Sequence, residues 1–422
     1  MTSSSKIPDN ERRVTWRLSQ LLVLGAFFVL VSSFWNSEKS EQTAQVDPPV
    51  TSENSTTTAA SDAINKPDDA RSFTFAASGE ILVHEFVADA ARSSDGNSWD
   101  FMYMFESVQQ VLVSADLSIC HLETPLSENN SSLSYYPNFE VPYELADAIS
   151  SAGYDGCSVA SNHSLDTGIG GISSTLGHLH GAGIQTAGMT IEDAEPEESL
   201  FEVNGITVAH FSVTDTLNGS SLPTNPPWLV SDLDIGRIIL DAQNIRSSGA
   251  EFVIVSVHWG EEYISDLSDH QQETVTALLD SEHIDLIIGH GIHVPQSVLV
   301  HNEKYAVAGL GNFLSNQPGD ERRRCSECPP ATQDGMILWL EIEENEEGKI
   351  IVAEASYYPT LVDRTNYEIV LVDFPSEEPF TRNANGATFT PQANAETLLA
   401  SAERTASVVE PLLTKATSLP SD

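Results

Sequence analysis

Gly153-Tyr-Asp-Gly-Cys-Ser-Val-Ala-Ser-Asn-His-Ser-Leu-Asp-Thr-Gly168 reads as a short buried strand, a polar loop and the start of a helix. The apolar run closes on Val159 and Ala160; Ser161, Asn162, His163 and Asp166 follow, and Gly168 opens the next element. An amide oxygen, an imidazole and a carboxylate just past a buried strand sit where α/β folds place their chemistry. Asn oxygen and His nitrogen also suit a divalent metal. A polar turn with an Asn helix cap would use the same residues. What decides between them is whether other strands end in the same way.

They do, on both sides of the stretch. Upstream, Phe73-Thr-Phe-Ala-Ala leads to Ser78-Gly-Glu80 and then Ile81-Leu-Val83, and Asp116 to Glu123 is an apolar run that ends on a carboxylate. Between them Phe101, Phe105, Val108 and Leu112 recur at helical spacing. Pro142 to Ala152 reads as a helix closed by Gly153. Downstream, Ile172, Leu176 and Leu179 mark a helix, Ile206 to Val213 a strand, and Ile235 to Ile245 an amphipathic helix that Asp232 is placed to cap. Phe252 to Val257 runs into His258, and Ile284 to Ile288 runs into His290 and His293. From Gln296 to Val372 strands dominate, and Leu398, Leu399, Val408 and Val409 predict one peripheral helix in the polar tail. Alternating strands and helices followed by a strand-rich half predict an α/β fold of mixed sheets packed face to face with helices outside.

Composition narrows the partners. The chain has 422 residues and a formal net charge of −43, from 62 Asp plus Glu against 19 Lys plus Arg. Such a field repels nucleic acid and anionic lipid and attracts divalent cations. Arg12, Arg13 and Arg17 precede an uncharged run from Leu18 to Trp35. As a helix that run spans roughly 27 Å, enough to cross a bilayer. The basic flank predicts an amino terminus inside and the main domain outside the cell membrane. A cleaved signal peptide, with Val31-Ser-Ser33 as its cleavage site, is the alternative. Five segments follow: a cytoplasmic basic segment 1–17, an anchor 18–35, a flexible linker 36–70, a folded domain 71–375 and a polar tail 376–422.

Five strand ends thus carry Glu80, Glu123, Asn162 with His163, His258, and His290 with His293. Two carboxylates, one Asn and several His form the ligand chemistry of a hydrolytic site for zinc, manganese or iron. We expect Glu80, Glu123, Asn162, His258, His290 and His293 around the metal, and His163, oriented by Asp166, as a general acid. The sequence resembles the CapA family, the capsule and poly-γ-glutamate biosynthesis proteins with a metallophosphoesterase-like fold. The residues that carry the resemblance are Ser78-Gly-Glu80, Leu122-Glu123-Thr-Pro125, Ala160 to Gly168, His258-Trp-Gly-Glu-Glu-Tyr263, Gly289-His-Gly-Ile-His-Val-Pro-Gln296 and Gly309-Leu-Gly-Asn-Phe313. The resemblance implies a four-layer α/β/β/α sandwich with these motifs at one edge. It also implies a surface role in making, exporting or anchoring an anionic polymer, poly-γ-glutamate or a polysaccharide, beside other membrane proteins of polymer synthesis and export.

The chain departs from the family pattern beside the site. Glu80 stands for an Asp, His121-Leu-Glu123 for Asn-Leu-Glu, Ser161-Asn-His163 for Asn-Asn-His, and Gly291-Ile-His293 for His-Pro-His. A non-catalytic scaffold with a degenerate site is therefore the alternative to a phosphoesterase- or amidase-like hydrolase. Cys120 and Cys157 read as small buried hydrophobes, with a disulfide between neighbouring strands as the alternative. Cys325 and Cys328 read as a local disulfide beside Arg322-Arg-Arg324, a cluster placed to contact a polyanion.

Overall fold

Apolar residues on the strands build two sheets that share one core. The first sheet holds four parallel strands: β1 (Ser72–Ile81), β2 (Leu117–Leu122), β3 (Gly156–Ser158) and β4 (Gln185–Ala187). The second holds β5 (Ser199–Val203), β6 (Ile206–Thr214), β7 (Phe252–His258), β8 (Leu286–His290), β9 (Val298–His301) and β10 (Lys304–Val307), in the order β5-β6-β7-β8-β10-β9. β11 (Asn312–Leu314) then returns to pair with β1. β12 (Asp334–Glu344), β13 (Ile350–Asp363) and β14 (Glu368–Leu371) complete the first sheet as an antiparallel meander beyond β1, and β15 (Thr414–Lys415) pairs with β13. This computed structural model describes residues 70–191, 198–222, 229–317, 325, 327–373, 393–410 and 412–420.

Phe75, Leu117, Ile119, Leu338 and Leu340 of the first sheet meet Phe201, Val208, Phe252, Ile254 and Ile288 of the second in one buried cluster. Burying a side chain of this size stabilises the fold by about 1.5–3 kcal/mol relative to exposure. The far face of the first sheet is covered by α1 (Glu85–Ala91), α2 (Met102–Val113), α3 (Leu145–Ala152) and α4 (Gly168–Gly181), through residues such as Phe105, Leu112, Ile149 and Leu179. The far face of the second is covered by α5 (Ile235–Ser247) and α6 (Asp269–Asp280), through Ile238, Val275 and Leu279. Helices, sheet, sheet and helices therefore stack in four layers.

Three local expectations change. The side chain that caps α5 is Asp234, which accepts from the Arg237 N–H, and not Asp232. Cys120 and Cys157 are not separate hydrophobes; they are bonded to each other across β2 and β3, where the register sets them opposite. The predicted helix in the tail forms as α7 (Ala395–Val409), with Leu398 and Val409 turned inward and Leu399 outward. It is tied in rather than peripheral: Arg404 holds the fully buried Asp334 carboxylate with two hydrogen bonds, at 2.6 and 2.7 Å. Cys325 and Cys328 are also disulfide-bonded. The anchor 18–35, the linker up to residue 69 and Arg322 to Arg324 lie outside the described residues. Among the described residues no helix is long and apolar enough to cross a membrane.

Candidate metal centre

Parallel strands end at a common edge, and the register sets which residues stand level there. In the first sheet Asn312, Glu80, His121 and Ser158 form one row across β11, β1, β2 and β3. In the second sheet Thr214, His258 and His290 form another, across β6, β7 and β8. The rows face each other. His121 Nε2 lies 3.0 Å from His258 Nδ1, and the His121 ring stacks on His290 with centroids 4.2 Å apart. Glu80 crosses between the sheets to accept the Gly291 N–H at 2.7 Å.

His121, Glu123 and His258 each present a ligand atom, and the three atoms lie within 4.8 Å of one another. Glu80, His290 and His293 surround this trio without joining it. His293 Nε2 is 3.9 Å from Glu123 Oε1, and its Nδ1 is 3.2 Å from Asn312 Oδ1. The Asn162 loop is tied to the same place, because Ser161 Oγ donates to the Glu123 carbonyl at 2.7 Å. Asp166 Oδ2 sits 2.8 Å from His163 Nδ1 and also accepts the Phe139 N–H at 2.7 Å. Phe139 packs edge-on to the His163 ring at 4.6 Å, so the imidazole is held on two sides. Its Nε2 makes no hydrogen bond among the described residues.

His121 was absent from the ligands expected from sequence, although it stands in the trio. Its signal was present: it lies two residues before Glu123 on an extended run, so the two share a face. Only the opposite sheet, which brings His258 to it, turns that shared face into a cluster.

The backbone is bent to fit. Gly291 has φ +94°, and a Cβ there would sit 2.7 Å from His258 Nε2. His293 and Tyr263 hold left-handed φ values of +63° and +70°, which non-glycine residues adopt at a cost of order 1 kcal/mol. The Tyr263 ring tilts over His293 at 6.1 Å, and its N–H bonds the Ile292 carbonyl at 2.7 Å, so the turn is over-determined. Gly291→Ala should therefore displace His258 and destabilise the domain by about 2–4 kcal/mol, through backbone strain and overpacking together. A denaturant titration beside the parent measures it; an unchanged midpoint would show that the turn relaxes freely.

Burial sets the protonation of the cluster. It pushes the Glu80 carboxyl up to about 8 and Glu123 well above the usual carboxylate range, the latter helped by the neighbouring Glu80 charge. Burial also holds His121, His258 and His290 well below the usual imidazole value and lowers His293 to about 4. Burial thus disfavours the charged form of every one of these carboxyl and imidazole groups.

The donors fit a divalent cation. Both Glu123 oxygens, Glu80 Oε2, Asn162 Oδ1 and His290 Nδ1 are buried without a hydrogen-bond partner. Buried polar atoms are normally paired, and an unpaired Glu123 oxygen within 4.8 Å of a His121 and a His258 nitrogen marks a place for an ion or water. Carboxylate, amide and imidazole donors together suit zinc, manganese or iron.

A family model described as bacterial capsule synthesis protein PGA_cap matches residues 74–317. The PGA biosynthesis protein CapA of Bacillus subtilis (strain 168) is 25% identical over 324 residues, covering 74% of this chain and 80% of that protein. The capsule biosynthesis protein CapA of Bacillus anthracis is 26% identical over 247 residues, 57% of this chain and 59% of that one. Among solved structures, a calcineurin-like phosphoesterase from Bacillus subtilis is similar at a TM-score of 0.40 and 14% identity, over 80% of this chain and 97% of that one.

Proposed function

Since the chain belongs to the bacterial capsule synthesis protein family, we propose that it is a membrane-anchored surface protein that works on an anionic polymer and carries a divalent metal at the shared sheet edge. The polymer is poly-γ-glutamate or a polysaccharide, handled beside other membrane proteins of synthesis and export. Two relatives named for PGA and capsule biosynthesis support this setting. The observation that carries the metal is Glu123, whose two buried oxygens lack hydrogen-bond partners while His121 and His258 stand beside it.

His121, Glu123 and His258 would hold the ion, with Asn162, Glu80, His290 and His293 around it. When bound there, zinc, manganese or iron supplies a Lewis acid and a water of lowered pKa for hydrolysis of a phosphoester or an amide. The chain's own residues do the rest. Asp166 fixes the His163 ring through Nδ1. Nε2 then carries the proton that a leaving group needs. The surrounding burial excludes bulk water and strengthens each of these contacts. One observation favours a non-catalytic scaffold instead: His121 and His258 already bond each other at 3.0 Å and need no ion for that pair.

Elemental analysis of the purified full chain, after equilibration with zinc or manganese, separates the two. Stoichiometric metal is expected, and its absence leaves the scaffold reading standing. His163→Ala should keep the metal and lower turnover of a phosphoester or amide substrate by about 10²–10⁴; loss of the metal would instead make His163 a ligand. The anchor has its own test. The protein should sediment with membranes and expose its main domain to added protease, and a soluble mature form starting after residue 33 would overturn it.

A further inference from the structure

Two cysteines sit beside the centre with no part in its chemistry. We infer that the Cys120–Cys157 disulfide and Ser158 are positioning residues that set the tautomer and place of His121, an inference that rests on the metal reading of this edge. β3 is only three residues long, and β2 and β3 pair as Ile119 with Gly156, Cys120 with Cys157 and His121 with Ser158. Alternation sends the cysteines to the helix-covered face, where both are buried, and sends His121 and Ser158 toward the second sheet. A covalent bond across one registered pair limits both the separation and the slide of the next pair.

That next pair decides a proton. Ser158 Oγ lies 3.2 Å from the Cys120 carbonyl and 2.8 Å from His121 Nδ1. A hydroxyl has one proton to give, and a carbonyl can only accept it. Ser158 therefore donates to Cys120 and accepts from His121 Nδ1–H. This leaves the His121 lone pair on Nε2, the nitrogen that faces His258. A neutral imidazole ligates through its unprotonated nitrogen, and the hydrogen bond at the other nitrogen selects which one that is. The Cys120 carbonyl and the Ser158 hydroxyl belong to strands that the disulfide joins, so both partners of the relay are held by it. Beyond Ser158 the loop that follows β3 brings the Ser161 hydroxyl to the Glu123 carbonyl at 2.7 Å.

The test uses the full chain with Cys120→Ala/Cys157→Ala, with Ser158→Ala, and with Cys325→Ala/Cys328→Ala. Zinc and cobalt(II) affinities come from competition with a chromogenic chelator. The ring protons of ¹⁵N-histidine-labelled protein report the His121 tautomer. Loss of an outer hydrogen-bond partner of a ligating His lowers metal affinity about 10–100-fold. Ser158→Ala should fall in that range, and the first double variant should lose about tenfold or more. Both should lose the single Nδ1–H tautomer of His121, and the Cys325/Cys328 variant should match the parent. A purely structural staple would lower the unfolding midpoint and leave affinity and tautomer unchanged below it, which overturns the proposal. If the first double variant does not fold, Ser158→Ala decides alone, and parental affinity there overturns it too. A parent that binds no metal removes the metal reading itself, an outcome visible before any variant is made.

Discussion

Glu123→Ala should leave the protein without stoichiometric zinc or manganese. Glu123 is the sole carboxylate in the trio with His121 and His258, and both its oxygens are buried without a hydrogen-bond partner. Removing it leaves two neutral imidazoles facing a divalent charge in a buried site. The loss should exceed the roughly 10–100-fold that an outer partner costs. Stability without metal should move the other way or hardly change, because the variant removes buried unsatisfied oxygens, each a cost of about 1–3 kcal/mol. The cavity left behind offsets part of that gain. Elemental analysis and chelator competition read the first effect, and a denaturant titration in chelator reads the second. Parental metal content in Glu123→Ala would place the ion elsewhere or nowhere.

The second large effect is a pH dependence of the metal-free protein, read against Glu80→Gln. Burial raises the Glu80 carboxyl from 4.5 to about 8. Between those values the folded protein keeps a proton that the unfolded chain has released, so stability falls as pH rises. Glu80 alone accounts for up to about 5 kcal/mol across that window. Glu123 is raised for the same reason and acts in the same direction. The buried imidazoles oppose this at lower pH. His293 is lowered to about 4 and His121, His258 and His290 lie well below 6.5, so the unfolded chain binds the extra protons there. From this cluster, stability rises with pH up to about 6.5 and falls from there toward 8.

Glu80→Gln keeps an oxygen for the Gly291 N–H and removes the titrating group. Its stability relative to the parent should grow steadily from pH 4.5 to 8 in chelator. A bound ion replaces the carboxyl protons, so added zinc should flatten the parent's fall above pH 6.5 and release protons on binding. Denaturant midpoints at several pH values, with and without zinc, measure both. A difference between parent and Glu80→Gln that is constant with pH would mean that Glu80 is already ionised in the fold.

Much of this architecture is written locally. Phe252 to Val257 and Ile284 to Ile288 are apolar enough to be strands wherever they fold, and the residues after them are polar enough to stop them. His163 and Asp166 are three residues apart on one loop, so their 2.8 Å contact needs little beyond that loop. Leu398 and Val409 carry the spacing that makes α7 helical. The rest depends on partners far along the chain. Glu80 bonds Gly291 across 211 positions, His121 meets His258 across 137, and Arg404 finds Asp334 across 70. Cys120 opposes Cys157 because of a strand register that a slip of one residue would destroy. Periodicity and strand ends are properties of neighbouring residues, and the sequence by itself determined them. Which strand ends stand together, which cysteines bond and which nitrogen of His121 faces His258 are set by register and by the approach of two sheets, and those exist only once the chain has folded.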